Sequence, residues 1–129
     1  MTSSKSEPKL NPDQLKSEAI SWILKGRASK ALELFERAYS LAPDRLDIGY
    51  RLGLARIDQA QVDLGIEILV NTLEKDTERK FLQSDLLDPI DDILTRRPTF
   101  KNLVKIKKKI LEGKPLKLRS RDVRLPHSV

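Results

Sequence analysis

Residues 31–43 read Ala31-Leu-Glu-Leu-Phe35-Glu-Arg-Ala38-Tyr-Ser-Leu-Ala-Pro43, with Leu32, Phe35, Ala38 and Tyr39 recurring at steps of three and four. This spacing sets them on one face of a helix from Ala28 or Ser29 to Leu41, and Pro43 stops it. Paired helices approach closely only where one presents a small side chain, here Ala31 and Ala38, while the large Phe35 between them fills the groove. Such a face cannot be buried by one helix alone. The rest of the chain must therefore supply stacking neighbours, and this restricts it to an all-α architecture of packed helices.

Those neighbours can be read from start and stop signals. Asn11 can accept from free amides and Pro12 suits a first turn, so a helix runs from there to about Lys25 and ends at Gly26. A third helix spans Leu46–Gln59 with Asp44 or Asp47 as its cap, and Leu64–Leu73 reads as a fourth. These make two helical hairpins. A later helix runs from Phe100 to Leu111, with Thr99 to cap it and Gly113 to end it. Its partner near Glu78–Thr95 is irregular, because Pro89 removes a backbone donor and clashes with the preceding turn. A break is expected at Asp88, with a short helix after Pro89. Residues 1–10 are polar and carry Pro8, which predicts a disordered N-terminus ahead of a helical domain at 11–112 and a basic extended tail at 113–129.

Composition narrows the functional classes. The 129 residues hold no cysteine, which removes thiol catalysis, disulfide frameworks and zinc knuckles. No apolar run approaches the ~18 residues of a membrane span, and the opening residues lack the apolar core of a secretory signal, so the expected compartment is the cytoplasm. The net charge of +6 is unevenly placed: residues 96–129 carry twelve Lys/Arg against Glu112 and Asp122, a local +10, whereas residues 1–95 hold 13 basic and 17 acidic residues, a local −4. Asymmetry of this kind suggests an interaction tail, and equally a solvated helix face.

Ala19, Trp22, Gly26, Ala31, Phe35, Ala38 and Pro43 stand where the tetratricopeptide repeat places small, aromatic, small, small, aromatic, small and proline residues, and the first hairpin resembles that family. A shift by the family's period of about 34 residues lays Ala19 on Gly53, Gly26 on Ala60, Ala31 on Gly65, Leu32 on Ile66 and Phe35 on Leu69. Size class recurs although identity does not. A further shift carries Leu32 and Ile66 onto Phe100, and Phe35 and Leu69 onto Leu103, so residues 77–112 are either a third repeat or a generic hairpin in register. The resemblance implies a short right-handed α-solenoid and a non-catalytic protein–protein interaction module: an adaptor, chaperone or assembly factor without a cofactor. On the family's pattern, its concave groove would be lined by Lys16, Ile20, Ile23 and Leu24 and by Tyr50, Arg51, Leu54 and Ile57. Ile20 and Leu54 fall where the asparagines of a carboxylate clamp would sit, and neither can donate a hydrogen bond. An apolar helix or strand of a partner suits this groove. Alternatively, the chain's own irregular third hairpin covers Ile20, Leu24 and Leu54.

The basic end offers a second contact. In the helix over 99–112, Phe100, Leu103, Val104, Ile110 and Leu111 are assigned to the core and Lys101, Lys105, Lys108 and Lys109 to the outside. Beyond Gly113, Lys114, Lys117, Arg119, Arg121 and Arg124 continue with Leu116 and Leu118 alternating against Lys117 and Arg119, as in an extended segment with one apolar and one basic edge. The partner of this end is an acidic protein surface, or in the alternative reading RNA, the ribosome or another nucleic acid bound through residues 96–129. An anionic membrane surface comes third. The end holds no aromatic beyond Phe100 to stack on a base.

No catalytic residue or metal site is expected. The sole histidine, His127, has no partner to orient it. Asp85, Asp88, Asp91 and Asp92 form the one carboxylate cluster, but it lacks the glycine turn and spacing of a calcium loop, and Asp88 before Pro89 with Asp91 and Asp92 just after it suit the positive end of a short helix.

Overall fold

The computed structural model describes residues 10–116. Among them are six α-helices and no strand: α1 Pro12–Leu24, α2 Ala28–Leu41, α3 Leu46–Asp58, α4 Val62–Lys75, α5 Asp88–Arg96 and α6 Lys101–Leu111. The expectations for residues 1–9 and 117–129, a disordered N-terminus and an extended basic tail with Lys117, Arg119, Arg121 and Arg124, lie outside the described residues.

Helix α1 starts as its sequence signals require. Asn11 Oδ1 accepts from the Gln14 amide at 2.8 Å, and Gln14 Oε1 accepts from the Asn11 amide at 2.9 Å, so two otherwise orphaned donors are satisfied. The hairpin α1–α2 is then repeated. Each bound of α3 and α4 is that of α1 and α2 plus 34. The turns repeat as well: Gly26 N donates to Ile23 O and Arg27 N to Trp22 O, and 34 residues later Ala60 N donates to Ile57 O and Gln61 N to Arg56 O. Gly26 has φ +79° and Ala60 φ +69°. Ala60 therefore holds a left-handed conformation that disfavours a Cβ, because its counterpart turn demands it.

Helix α3 is the central element and is buried almost all round. Ile48, Leu52 and Ala55 pack with Leu15, Ala19 and Phe35 of the first hairpin, while Tyr50, Leu54 and Ile57 pack with Leu69, Leu86, Ile90 and Leu103 on the other side. Its approach to α4 is close. A Cβ on Gly53 would lie 2.9 Å from Gly65 O, and one on Gly65 would lie 2.5 Å from Gly53 O. Neither expected cap of α3 is used: Arg45 occupies the cap position and makes no side-chain cap bond. Asp47 instead turns toward α1.

The third hairpin departs most from expectation. The chain does not break at Asp88; it runs on in right-handed helical conformation through a π-turn at Gln83–Leu87 and into α5. Pro89 clashes in an ordinary helix with the carbonyl four residues earlier, that of Asp85, and the wider π-turn relieves this clash. Ahead of it, Asp76 at the end of α4 organises the connection: its carboxylate accepts from Tyr50 Oη at 2.9 Å, Lys80 N at 2.9 Å and Phe81 N at 3.2 Å. Burial, and then the bond to Asp76, push the Tyr50 phenol above its ordinary range.

Helix α6 differs in phase. Leu103, Ile106 and Ile110 face the core at steps of three and four, and Val104 and Leu111, assigned to the core from sequence, are 46% and 64% exposed. Thr99 does not cap it; Phe100 holds the cap position without a side-chain bond. Gly113, at φ +74°, ends it, and Leu116 folds back to join the core beside Ile110. The packed domain thus extends past residue 112, the boundary expected from sequence.

Candidate interaction site

The eight residues assigned to an open concave groove divide into three groups. Tyr50 and Ile57 are fully buried and Leu54 is 2% exposed. An open groove at these positions is therefore corrected to a closed core. The reason is the unbroken third hairpin, whose Leu86, Leu87, Ile90 and Ile93 lie in the same apolar cluster. The chain supplies its own occupant there.

Lys16 and Arg51 remain on this face but are engaged. Asp85, carried into the interior by the π-turn, receives Lys16 Nζ at 2.9 Å and Arg51 Nε at 3.0 Å on the same oxygen. Ser84 Oγ donates to its other oxygen at 3.2 Å, and Arg51 Nη2 also donates to Ser84 O at 3.3 Å. Lys16 donates at 2.9 Å to Asp47 as well. Arg45 reaches Asp47 through Nε at 3.0 Å and Nη2 at 2.8 Å, and Asp13 through Nη2 at 2.7 Å. Three cations and three carboxylates thus form one network across α1, α3 and the π-turn. Burial pushes the Asp47 carboxyl up, but the hydrogen bonds from Arg45 and Lys16 outweigh it and hold the group at about 2. The bonds that Arg45 donates to Asp47 and Asp13 hold it in its charged form.

The reading of Asp88, Asp91 and Asp92 as acids at the positive end of the short helix holds in part. Asp85 pairs with Lys16 and Arg51, Asp88 accepts from Gln83 Nε2 at 2.6 Å, Asp91 pairs with Lys107, and Asp92 faces Arg96 at 3.6 Å. Only Asp88 and Asp91 stand in the first turn of α5. Among the described residues no group of acids and histidines converges as a metal site. His127 lies outside the described residues. Sequence reasoning missed Asp85 as a buried counter-ion. Its position beside the apolar Leu82, Leu86, Pro89 and Ile93 stripe is the signal, since a carboxylate at the edge of a buried face needs a cation.

Ile20, Ile23 and Leu24 form the third group and stay near the surface. Ile20 and Ile23 are half-buried and Leu24 is 77% exposed. They line one wall of a cleft of about 50 Å³. Phe35 and Leu54 lie at its back, and Pro89, Asp92, Ile93 and Arg96 of α5 form the opposite wall. This cleft lies between α1 and α5, beside the apolar cluster through which the third hairpin covers α3. Its lining is mostly apolar, with Arg51 and Asp58 also contributing and an Asp92–Arg96 ion pair at its edge.

The second surface is the outer side of α6. Lys101, Lys105, Lys108 and Lys109 are exposed, as expected, and none forms an ion pair with a described residue, whereas Lys107 pairs with Asp91 and Lys114 with Glu112 at 3.2 Å. Arg97 lies over the Phe100 ring at 5.8 Å and reaches back to Asp58 at 3.3 Å, which ties the start of α6 to the end of α3. No helix among the described residues is long and apolar enough to cross a membrane.

No protein-family model matches this chain, and no curated protein or solved structure matches it at a significant level. The tetratricopeptide likeness accordingly stands on residue spacing.

Proposed function

We propose that the chain is an interaction module of the tetratricopeptide-like type, acting as an adaptor, chaperone or assembly factor, and that it binds an apolar helix or strand of a partner protein at the cleft between α1 and α5. The observation that carries this reading is Leu24, an aliphatic side chain 77% exposed at the rim of an apolar cleft. Full burial of such a side chain contributes about 1.5–3 kcal/mol, so a partner that covers Leu24 and enters between Ile20 and Ile93 gains most where the chain is now least satisfied. The 34-residue recurrence of the first two hairpins supports the same reading, because stacked hairpins serve as rigid binding scaffolds.

Capture from an extract of the source cell, quantified by mass spectrometry, tests it. Leu24→Asp is expected to lose a protein that the unsubstituted chain retains, with an unchanged far-ultraviolet circular dichroism spectrum. Leu41→Asp, at an exposed site away from the cleft, is expected to keep it. Equal capture by the Leu24→Asp chain overturns the reading.

A further inference from the structure

The outer face of α6 is divided lengthwise. Steps of 100° per residue place Lys101, Lys105, Lys108 and Lys109 along one side, and Val104 and Leu111 along the adjoining side next to the half-buried Phe100. The lysines that follow at three or four residues stand roughly 5–6 Å apart, one helical turn. Four cations without an ion-pair partner among the described residues therefore run beside two aliphatic side chains that the core does not use.

We propose that this face docks an acidic amphipathic helix of another protein, laid along α6 with glutamates or aspartates against Lys101, Lys105 and Lys108 and an apolar edge over Val104 and Leu111. Charge complementarity selects the occupant. The chain's own residues 117–129 carry Lys117, Arg119, Arg121 and Arg124 against Asp122, a net charge of the same sign as this face and so not complementary to it. A nucleic acid would match the lysines but leave Val104 and Leu111 in water, and the one aromatic beside them, Phe100, is half-buried against the core and covered by Arg97. An anionic bilayer would take both kinds of side chain. Val104 and Leu111 nevertheless hold less aliphatic carbon than a myristoyl chain, which itself gives only marginal membrane binding. A partner helix satisfies both edges at once, because its own three- and four-residue steps match those of α6. This surface is separate from the α1–α5 cleft, and the inference does not depend on the cleft's role.

The test uses the full chain and a fluorescent synthetic helix of 18 residues with glutamates at i, i+4 and i+7 and a leucine edge beside them, titrated by anisotropy at low salt. Saturable binding is expected, weakened about tenfold by Lys101→Glu, Lys105→Glu and Lys108→Glu together, since exposed charge pairs each contribute a few tenths to 1 kcal/mol. Val104→Ser with Leu111→Ser is expected to weaken it several-fold. Leu24→Asp is expected to leave it unchanged, which separates this site from the cleft. All these side chains are exposed, and circular dichroism verifies that each variant folds. Two results overturn the proposal. One is unchanged affinity of the peptide for the triple lysine variant. The other is tighter binding of single-stranded RNA or of phosphatidylserine vesicles than of the peptide, lost in that same variant, which assigns the face to phosphate or lipid.

Discussion

Asp85→Ala removes the carboxylate that joins the third hairpin to the first two, and its cost can be worked from the contacts it breaks. Lys16 and Arg51 lose a shared acceptor at 2.9 and 3.0 Å, and the Asp85 side chain is only 6% exposed, so the pairs are little screened. Removal of one partner from a fully buried pair costs about 3–5 kcal/mol, against about 0–1 kcal/mol at the surface. Here each cation keeps a second acceptor, Lys16 at Asp47 and Arg51 at Ser84 O. The expected loss is therefore intermediate, about 2–3 kcal/mol, equivalent to about 10 °C in Tm for a domain of this size. Urea denaturation followed by circular dichroism measures it. A double-mutant cycle of Asp85→Asn with Lys16→Met isolates the pair, and the expected coupling is about 1–2 kcal/mol. The loss should persist in 0.5 M salt, unlike that of an exposed pair. A destabilisation of Asp85→Ala below about 0.5 kcal/mol, or one abolished by salt, refutes the reasoning that the network fastens the π-turn to α1 and α3.

Three further outcomes follow from the same geometry. Gly65→Ala places a Cβ 2.5 Å from Gly53 O and from Ile57 Cγ1, and because backbone cannot yield cheaply the strain of about 1–3 kcal/mol should exceed the gain in helix propensity of about 1 kcal/mol, giving a net loss of stability in chemical denaturation. Ala60→Gly, at φ +69°, should instead stabilise by about 0.5 kcal/mol, since relief of the left-handed strain exceeds the entropy glycine adds to the unfolded chain. The Asp47 carboxyl is depressed from 3.8 to about 2, so its contribution of about 2 kcal/mol is complete above pH 5 and is lost as the pH falls through 4 toward 2; denaturation midpoints across that range should fall less steeply for Asp47→Asn.

The first two hairpins were legible because their boundaries depend on local chemistry. Asn11 with Pro12 starts a helix, Gly26 ends one and Pro43 forbids continuation, and each acts within a turn of its own position. The third hairpin was not legible for the opposite reason. Whether Pro89 breaks a helix or is absorbed by a π-turn depends on what holds the turn, and here that is Asp85 between Lys16 and Arg51, residues 69 and 34 positions away. The groove residues show a related ambiguity: Tyr50, Leu54 and Ile57 have the same apolar pattern whether a partner or the chain itself covers them. In α6 the apolar residues spread over about half of the helix circumference, with Ile106 at one edge of that arc and Val104 at the other, so the pattern alone could not decide that Ile106 is buried and Val104 exposed. The exposure of the four lysines was readable, because a charge without a partner is costly to bury.

The third hairpin closes over α3, buries Tyr50, Leu54 and Ile57, and leaves Leu24 open at the rim of the α1–α5 cleft. The chain has no cysteine, so a single thiol can be placed without interference. Thiol-labelling rates under native conditions for Leu54→Cys and Leu24→Cys measure the closure directly. Leu24→Cys is expected to react as an open thiol does, and Leu54→Cys at least about 100-fold more slowly, through opening of the fold alone. Comparable rates at the two positions would mean that the groove is open, and would contradict the account.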